Sequence, residues 1–485
     1  MATDVKKKAI IIGFDGLNPT LVNEYISKDF LPTFKKIKQV GVSGNLVSTI
    51  PPLSGPAWSS FVSGLNPGNH GIYDFITEEE RDGVKEVKIH DSNTLKGRCI
   101  WDYLGHFGYK SVVINVPLTY PPRKINGIMV SGFPSPKNGL YANPKEFEKI
   151  LRERYPSYLM DVNITDVNYN NVNKDDYVNS CLDLMFQRFD LAKYLFESYD
   201  WDLFFIVFTV SDRIQHLFWP YQDDSYPYEL DNRGKFEDTI RDIYVELDKI
   251  LGYFYDKIGS DTMLFVVSDH GFESVYKKFG ISNMFNVGDK NGIYFDKFQL
   301  LKYMYKKMRG IGLDAYEIFN KLPSFVRKKI VDDSVAFKRM GGFRFSDFNI
   351  SGPEDEKYEM IKDNLLNYVD EEFNRKVIDH VFLKEEIYYG EKVSDSLDAI
   401  AVPSSGYEIN FKNKYGVLER VGWPCGNHFS LKARQGTLMV AGGGVQENVV
   451  INSDIQNVAP TILDYFNIKP LFKLDGRSIN LFPDG

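Results

Sequence analysis

The feature that most limits the folds open to this chain is a series of short apolar runs in which hydrophobic and polar residues do not alternate. The six runs are AIIIGF (9–14), SVVINV (111–116), GIMVSGF (127–133), LFFIVFTV (203–210), MLFVVS (263–268) and TLMVAG (437–442). Such runs are typical of strands that are buried on both faces, as in a largely parallel sheet. Helix-like segments lie between them, at 144–155, 180–199 and 238–258. The alternation predicts an α/β sandwich in which helices flank a central sheet.

The pattern changes between residues 277 and 400, where runs of this kind are missing. A basic helical stretch at 300–330 precedes an acidic helical stretch at 354–373. A chain of 485 residues also exceeds the size at which a single core keeps growing. We therefore predict an inserted cap or lobe at 277–400, within a core domain made of 1–276 and 401–485.

Eight basic side chains of the predicted cap could face an anionic ligand or lipid head groups. A solvated basic face is the more common outcome for such runs, and we favour it here. The residues are Lys306, Lys307, Arg309, Arg327, Lys328, Lys329, Lys338 and Arg339.

Composition excludes several classes of protein. The net charge of −8 and the isoelectric point of about 5.6 leave no broad basic field, so no nucleic-acid partner is expected. The three cysteines, Cys99, Cys181 and Cys425, are far apart and form no CxxC pair. They indicate neither a disulfide framework nor a thiolate metal site, and they fit a reducing compartment.

The N-terminus has basic residues followed by an apolar run, which superficially resembles a signal peptide. That run is short, about seven residues, and it ends in FDG without a small-residue cleavage site, so we interpret it as a first strand. No segment approaches the ~18 consecutive apolar residues of a transmembrane helix. We therefore expect a cytoplasmic protein without a transmembrane segment, and we do not favour peripheral membrane contact. The oligomeric state is not predicted.

Three of the apolar runs stop at an aspartate, which is the most informative pattern in the chain. The first run leads into Asp15, the fourth into Asp212 and the fifth into Asp269. In open α/β sheets, ligands bind in the crevice beyond the carboxyl ends of the strands, so the three carboxylates could share one crevice. A single aspartate at such a place usually caps the following helix. Three together, with the histidines described next, favour a functional site.

Histidines accompany these aspartates at spacings that suit a metal ion. His216 follows Asp212 by four residues, which places both on one face of a helix. His270 follows Asp269 directly, and Gly271 tolerates a sharp turn there. His428 lies in the loop WPCGNHFS, shortly before the last strand. Carboxylate oxygen and imidazole nitrogen suit Zn²⁺ or Mn²⁺, and clustered carboxylates need cations to offset their repulsion.

The other histidines are less promising as ligands. His90, His106 and His380 have no acidic partner at ligand spacing on a strand end, so we interpret them as ordinary surface or core residues. His70 lies in NPGNHGIYDF, where a turn-stabilising role is favoured over direct catalysis.

A rigid, hydroxyl-rich turn, TIPPLSGPAWSSF at 49–61, lies far from these residues in sequence. Proline fixes φ and removes backbone donors, so the stretch is not a strand interior. One of its hydroxyls could be a nucleophile, or all of them could cap or pack a helix. The stretch alone leaves both interpretations open.

Together these motifs resemble the alkaline phosphatase superfamily, in its phosphodiesterase, nucleotide pyrophosphatase and phosphomutase branches. The matching motifs, in order, are IIGFDG, PPLSGPAWSSFVSGLNPGNHGI, SDRIQH, SDHG and GNHFS, followed by the closing segment NVAPTILDYFNIKPLFKLDGRSI. They extend from residue 9 to residue 478, while the region around 277–400 matches only loosely. The resemblance implies an alkaline-phosphatase-like sandwich with a central, largely parallel sheet and an inserted cap.

The resemblance also implies two divalent cations, Zn²⁺ first and Mn²⁺ second, about 4 Å apart as in other two-metal phosphoryl-transfer enzymes. The implied ligands of one ion are Asp15, Asp269, His270 and the side-chain oxygen of Ser54, and those of the other are Asp212, His216 and His428. Ser54 takes the place of the nucleophilic Thr or Ser, because a bound cation makes its alkoxide accessible near neutral pH. Ser59, Ser60 and Ser63 would fall inside the following helix as packing or solvent-facing residues.

Backbone amides after Ser54, at a helix N-terminus, could hold a phosphate oxygen. Pro56 has no amide, so the expected donors are Gly55 and Ala57. Nucleotide pyrophosphatases of this group often carry an Asn after the HGI segment that contacts a phosphate oxygen, whereas this chain has Asp74 and Phe75 there. That departure speaks against a nucleotide diester as the substrate.

The leading functional hypothesis is a metal-dependent phosphoryl-transfer hydrolase, a phosphodiesterase or phosphatase, that acts on a small phosphorylated substrate. The alternatives are a phosphomutase, with a closed site that excludes water, and a transferase of a phosphate-linked head group. A non-catalytic binding protein on the same fold is a further alternative, although all seven implied ligands are present. Trp58, Trp219 and Trp423 could flank a substrate, but we interpret them as packing residues.

Overall fold

The structure is a computed structural model that describes residues 7–81, 84–136, 139, 141–162, 172–285, 341–348, 350–413 and 416–483. The basic stretch at 300–330 and the eight cationic residues named with it lie outside the described residues. The strands are β1 (Lys8–Phe14), β2 (Val42–Val47), β3 (Ile76–Arg81), β4 (Val84–Ile89), β5 (Ser111–Ile114), β6 (Gly127–Val130), β7 (Ala142–Asn143), β8 (Leu203–Phe208), β9 (Thr262–Val267), β10 (Glu273–Gly280), β11 (Gly342–Phe343), β12 (Val369–Asp370), β13 (Arg375–Lys376), β14 (Ile378–Leu383), β15 (Ala399–Pro403), β16 (Gly406–Asn410), β17 (Leu418–Asn427), β18 (Gln435–Gly442), β19 (Val449–Val450) and β20 (Ser453–Asp454).

The helices lie mostly between the strands of the large sheet. They are α1 (Pro19–Ser27), α2 (Pro32–Val40), α3 (Ser54–Ser63), α4 (Pro67–His70), α5 (Ile100–His106), α6 (Lys145–Arg154), α7 (Lys174–Ser198), α8 (Val210–Gln222), α9 (Arg233–Phe236), α10 (Thr239–Tyr255), α11 (Ile281–Met284), α12 (Glu354–Leu366), α13 (Lys384–Ile387) and α14 (Val458–Tyr465). The segments predicted at 144–155, 180–199 and 238–258 correspond to α6, α7 and α10. Among the described helices, none combines the length and the apolar character needed to cross a bilayer.

The main sheet confirms the predicted central, largely parallel arrangement. Its strand order is β19-β2-β18-β9-β1-β8-β5-β6-β7, with β20 paired to β2. The five strands from β9 to β6 run parallel to one another, whereas β18 is antiparallel to both β9 and β2, and β7 is antiparallel to β6. All six apolar runs form strands of this sheet, because each was long enough and apolar enough to be covered on both faces.

Strand register explains why the aspartates meet. Gly13, near the end of β1, pairs with Val207 of β8 on one side and with Val267 of β9 on the other. The three parallel strands therefore end at the same level, and the residues that follow them lie at one edge of the sheet.

Apolar clusters cover both faces of the sheet. Alternate residues of β1 point to opposite sides, so Ile10 and Ile12 pack with α1, α2, α7, α8 and α10. Ala9 and Ile11 pack instead with Trp58 of α3 and with α5 and α14. This is a three-layer α/β sandwich with the core on either side of one sheet.

A smaller lobe has its own sheets and its own apolar cluster. One sheet has the order β16-β10-β17 and another the order β11-β15-β14, beside the β12–β13 hairpin. The cluster extends from Phe279 to Leu418 and includes Ile361 of α12, a helix in the acidic stretch. The boundaries at 277 and 400 remain a prediction, and the apolar cluster continues past 400 through Tyr407 and Ile409.

Candidate active site

Asp15 comes directly after β1 and is almost completely buried. Its Oδ1 accepts a hydrogen bond from Ser54 Oγ at 3.3 Å, and its Oδ2 accepts one from Trp58 Nε1 at 3.0 Å. Gly16 follows with φ of 70°, a backbone conformation that favours glycine. The Gly16 amide then donates to Asp269 Oδ1 at 3.1 Å, so the turn after β1 connects two of the carboxylates.

Asp269 and His270 follow β9 and are fully buried. His270 Nε2 lies 3.3 Å from Asp269 Oδ2 and 3.7 Å from Asp15 Oδ1. Asp269 Oδ2 has no hydrogen-bond partner among the described residues. Gly271 is needed for close approach, since a Cβ there would lie 2.5 Å from the carbonyl oxygen of Gln435. We call Asp15, Asp269 and His270 the aspartate-rich cluster.

The second group gathers around Asp212, in the first turn of α8. His216 Nε2 lies 3.4 Å from Asp212 Oδ1, as the i, i+4 spacing on a helix requires. His428, directly after β17, places its Nε2 3.9 Å from the same oxygen. Asp212 Oδ1 has no hydrogen-bond partner among the described residues. We call Asp212, His216 and His428 the histidine-rich cluster.

Each of the three histidines is oriented through its Nδ1 atom. Nδ1 lies at hydrogen-bond distance from a main-chain carbonyl: Gly426 for His216, Gly271 for His270 and Pro52 for His428. A carbonyl only accepts, so Nδ1 carries a proton, and in the neutral imidazole Nε2 keeps the lone pair that a metal ion would need. This is the way that metal-ligating histidines are usually held.

The two clusters touch each other. The rings of His270 and His428, one from each cluster, stack with centroids 3.8 Å apart and an interplanar angle of 18°. Within each cluster the three ligand atoms lie within 4.8 Å of one another. The fold thus brings together six side chains that the sequence spreads over more than four hundred positions.

Ser54, the seventh implied ligand, is the first residue of α3, after the cap residue Leu53. Its Oγ lies 3.3 Å from both Asp15 Oδ1 and His270 Nε2. The Ala57 amide donates to the carbonyl of Leu53 at 2.9 Å, so it is not available to a phosphate oxygen. Gly55 lies in the first turn, where amides have no intrahelical acceptor, and it is the amide donor that we carry forward.

Electrostatics of the aspartate-rich cluster favour a cation. Burial raises the pKa of Asp15 well above its ordinary value, and the neighbouring carboxylates of Asp269 and Asp212 raise it further. Burial likewise raises the pKa of Asp269 to about 8. Buried carboxylates that repel one another need a positive partner, and Asp269 Oδ2, which lacks a hydrogen-bond partner among the described residues, is available to bind a cation.

The histidine-rich cluster has a different balance, because Arg213 lies beside it. Burial acts to raise the pKa of Asp212, but His216 and Arg213 outweigh it and hold that pKa well below its ordinary value. Burial lowers the pKa of His428, and His270 lowers it further, so the imidazole stays neutral. Arg213 pairs with Asp212 on one side and with Asp161 on the other.

Sequence reasoning missed Arg213, Asp161 and the hydrogen bond from Trp58. Arg213 had a signal, since it stands inside the SDRIQH motif next to Asp212. Asp161 had none, because it lies in a loop 52 positions from Arg213.

Trp58 is buried, as expected of a packing residue, and also donates to Asp15. Trp219 stacks on Phe272, while Trp423 lies on the smaller lobe beside Lys278.

The other candidate hydroxyls of α3 do not face the clusters. Ser59 and Ser63 donate to main-chain carbonyls one turn earlier in the helix. Ser60 Oγ lies 3.0 Å from His70 Nε2, which superficially suggests a nucleophile and its base. His70 Nδ1 accepts the amide of Ile72, however, so Nε2 carries the proton and donates to Ser60.

Burial lowers the pKa of His70 to about 3, so the ring stays neutral and stabilises the turn. The three histidines that sequence analysis set aside lie away from both clusters. His90 is buried against Thr77, while His106 and His380 are exposed.

Comparison with known proteins fits this geometry. The family model described as type I phosphodiesterase / nucleotide pyrophosphatase matches residues 9–430. The chain belongs to this family. It is therefore a phosphodiesterase or pyrophosphatase of the alkaline phosphatase superfamily, and the alternative of a non-catalytic binding protein is not retained. No curated protein matches the chain.

Solved structures of the same fold include ectonucleotide pyrophosphatase / phosphodiesterase 5. The human protein is 15% identical, with a TM-score of 0.53 over 97% of both chains. The murine protein is 14% identical, with a TM-score of 0.52 over 97% of both chains. An inactive variant of the murine protein, solved in complex with AMP, is 15% identical with a TM-score of 0.53 over the same shares. At this identity the likeness establishes the alkaline-phosphatase-like fold.

Proposed function

We propose that this member of the family cleaves a phosphoester with Ser54 as its nucleophile, beside two divalent cations held by the two clusters. The observation that carries the proposal is the position of Ser54 Oγ. It lies 3.3 Å from one carboxylate and one imidazole of the aspartate-rich cluster, at the start of a helix. A hydroxyl between metal ligands and a helix N-terminus is placed both to be activated and to receive an anionic substrate.

The donor atoms fit two cations. Asp269 Oδ2 and Asp212 Oδ1 are buried without a hydrogen-bond partner among the described residues, and each points into its own cluster. Asp15, Asp269, His270 and Ser54 Oγ would hold one ion, and Asp212, His216 and His428 the other. Mixed oxygen and imidazole donors suit Zn²⁺, which we propose first, or Mn²⁺.

The reaction follows from the position of these groups. Bound cations would lower the pKa of the Ser54 hydroxyl and neutralise charge on the phosphoryl and leaving-group oxygens. Ser54 Oγ, having given its proton to solvent water, attacks phosphorus, and the leaving-group oxygen departs with the electron pair of its bond and is protonated from solvent. The Gly55 amide, at the N-terminus of α3, donates to a non-bridging phosphate oxygen. Water then cleaves the phosphoseryl ester and restores the Ser54 hydroxyl.

Phe75 helps to indicate which substrate the site accepts, because it follows the HGI segment, where related nucleotide pyrophosphatases often carry an asparagine. Its amide nitrogen lies 3.4 Å from the point where a Cβ of Gly55 would be, so it borders the start of α3. Its ring packs edge-on against Phe133, with centroids 5.4 Å apart. A phenyl ring cannot donate to a phosphate oxygen, so phosphate recognition depends on the cations and on Gly55. We propose a small organic phosphodiester with an apolar substituent as the preferred substrate.

The experiment compares zinc-loaded and manganese-loaded protein on an aryl diester, an aryl monoester and an aryl ester of a nucleotide. Ser54→Ala should lower kcat/KM at least 10³-fold, which is about 4 kcal/mol. Ser63→Ala is the matched control, since its hydroxyl is buried in the same helix but donates to the carbonyl of Ser59. Acid quenching should trap a phosphoryl group on Ser54 in the wild type. Full metal-dependent turnover by Ser54→Ala would remove the proposed nucleophile.

A further inference from the structure

Arg213 lies between two carboxylates at the edge of the histidine-rich cluster, and its side chain is 12% exposed. Its Nη1 donates to Oδ2 of Asp212. Its Nε donates to both oxygens of Asp161 at 3.1 Å, and its Nη2 donates to Oδ2 of the same residue. One guanidinium therefore bridges a residue of the cluster and a residue outside it.

We infer that Arg213 is a positioning residue that fixes Asp212 as a one-oxygen ligand, with Oδ2 occupied by the guanidinium and Oδ1 left to face His216 and His428. Oδ1 is the oxygen without a hydrogen-bond partner among the described residues, 3.4 Å from Nε2 of His216. This inference rests on the proposed two-metal function and concerns only the ion of the histidine-rich cluster.

The anchoring of Asp161 shows that the bridge is built into the fold. Asp161 Oδ1 also accepts from the hydroxyl of Thr209 at 3.1 Å, at the end of β8. Thr209 in turn accepts from Arg188 Nη1 at 3.0 Å, and Arg188 Nη2 donates to the carbonyl of Met160 at 2.6 Å. Asp161 is thus held from both sides, and it holds Arg213. A fixed guanidinium fork has little freedom to leave Asp212.

The Arg213 bridge between Asp212 and Asp161 also balances charge beside the histidine-rich cluster. Two arginines, Arg188 and Arg213, interact with two carboxylates, Asp161 and Asp212, so the charges of these four groups balance before any ion binds. The ring of Phe133 covers the guanidinium of Arg213 at 5.6 Å. A merely structural ion pair would stabilise the fold without changing the affinity of one ion, and this difference allows the role to be tested.

The test measures zinc affinity, with a chromogenic chelator as competitor, in protein stripped of metal and reloaded with Zn²⁺ alone. Arg213→Gln should lower the affinity for one of the two ions by about 10- to 100-fold and leave the affinity for the other unchanged. Changes of this size are found when outer-shell partners of metal ligands are replaced. The zinc affinity of Arg213→Lys should lie between those of the wild type and Arg213→Gln, because an ammonium is a point charge that cannot bridge both carboxylates. Asp161→Asn should weaken the same ion, but less.

The matched control is Arg123→Gln. Arg123 makes a similar buried pair with Asp102, with two contacts of 3.1 Å, away from both clusters. It should change neither affinity. The weakened ion is assigned by combining variants: the effect of Arg213→Gln should persist with Asp269→Asn and disappear with His216→Ala.

The outcomes separate this inference from the proposed function. A wild type that binds two ions, with both bound equally well by Arg213→Gln, overturns the positioning role and leaves the proposed function standing. Equal weakening of both ions also overturns it. If the wild type binds only one ion and Arg213→Gln binds that ion more weakly, the positioning role is supported and the two-metal proposal is overturned. If Arg213→Gln does not fold, Arg213→Lys and Asp161→Asn decide by the same criteria.

Discussion

The two clusters use similar residues but neutralise their charge differently. The aspartate-rich cluster has two buried carboxylates beside one imidazole. Burial raises the pKa values of Asp15 and Asp269, and the carboxylates of Asp269 and Asp212 raise that of Asp15 further. The histidine-rich cluster has one carboxylate between two imidazoles, and Arg213 adds a positive charge. In the first cluster, the proposed function would have a bound cation supply the positive charge. In the second, the protein supplies part of it.

Under the proposed function, this difference would give the two ions different roles. An ion in the aspartate-rich cluster would offset the charge of two carboxylates and would lie next to Ser54 Oγ. An ion in the histidine-rich cluster would meet a carboxylate that Arg213 already holds in place. We therefore propose that the first ion activates the hydroxyl and that the second has a fixed orientation.

The largest expected effect is on catalysis, where both clusters should be indispensable. Asp15→Asn and Asp212→Asn, assayed in zinc-loaded protein, should each lower kcat/KM at least 10³-fold, or about 4 kcal/mol. Asp15 contacts the nucleophile, and Asp212 contributes the carboxylate of the other cluster. Steady-state kinetics at saturating Zn²⁺ measures this. If Asp212→Asn kept near-normal turnover, the histidine-rich cluster would not belong to the reaction, and the comparison would lose its functional meaning.

The next effect concerns stability, where the two clusters should respond with opposite sign. In chelator-treated protein, Asp212→Asn should lower the free energy of unfolding by on the order of 3 kcal/mol, because it removes a partner of the buried Arg213. Asp269→Asn should raise it by about 1 kcal/mol, since an amide can keep the bond from Gly16 and also donate to His270 Nε2. Urea unfolding in the presence of chelator measures both. A loss of stability from Asp269→Asn would contradict the repulsion argued for the first cluster.

The pH dependence of chelator-treated protein sharpens the same contrast. In the unfolded chain Asp269 ionises near 3.8, whereas in the folded protein it keeps its proton up to about pH 8. Between these values the unfolded state binds fewer protons, so the free energy of unfolding falls as pH rises. The slope is at most about 1.4 kcal/mol per pH unit for one group, and about 1 kcal/mol should be lost from pH 7.0 to pH 8.0.

Asp212 does not cancel this slope. Its pKa is lowered, so its contribution is fully present above the unfolded pKa and is lost only as the solution becomes strongly acidic. His70 and His428, whose pKa values are lowered by burial, make stability rise with pH only up to about their unfolded pKa of 6.5. Unfolding measured at pH 7.0 to 8.0 should therefore show falling stability in the wild type and a flatter curve in Asp269→Asn. A curve that rises with pH would contradict the prediction.

Sequence reasoning captured the features that repeat or stand at fixed positions in the chain. Unbroken apolar runs specified six of the ten strands of the main sheet, and parallel pairing in register carried Asp15 and Asp269 to one edge. The ligand roles themselves came from resemblance to a family, not from spacing alone. Five of the six clustered side chains could be named in advance because each follows a predicted strand, opens a helix after one, or lies one helical turn further on. The sixth, His428, was expected in a loop, whereas WPCGN forms the end of β17 and His428 comes directly after it.

What could not be predicted depends on contacts between loops. Asp161 meets Arg213 only because the loop that contains Asp161 lies beside Thr209 at the end of β8, and no periodicity marks that contact. The Ala57 amide cannot bind a phosphate oxygen because it donates to the carbonyl of Leu53 in the first turn of α3. Such details depend on backbone paths that composition does not encode.

The smallest expected effect concerns a fourth histidine, His70, which lies outside both clusters but, like His270, contacts a hydroxyl of α3. Ser60→Ala removes the acceptor of the His70 Nε2 proton and should cost about 1 kcal/mol of stability. It should leave kcat/KM and zinc affinity within twofold of the wild type, since His70 is kept neutral by burial and its Nδ1 is engaged by the Ile72 amide. Thermal unfolding and kinetics on the same preparation measure both quantities. A tenfold loss of kcat/KM without loss of zinc would show that the His70–Ser60 pair acts on the substrate, and that two clusters are too few to describe the site.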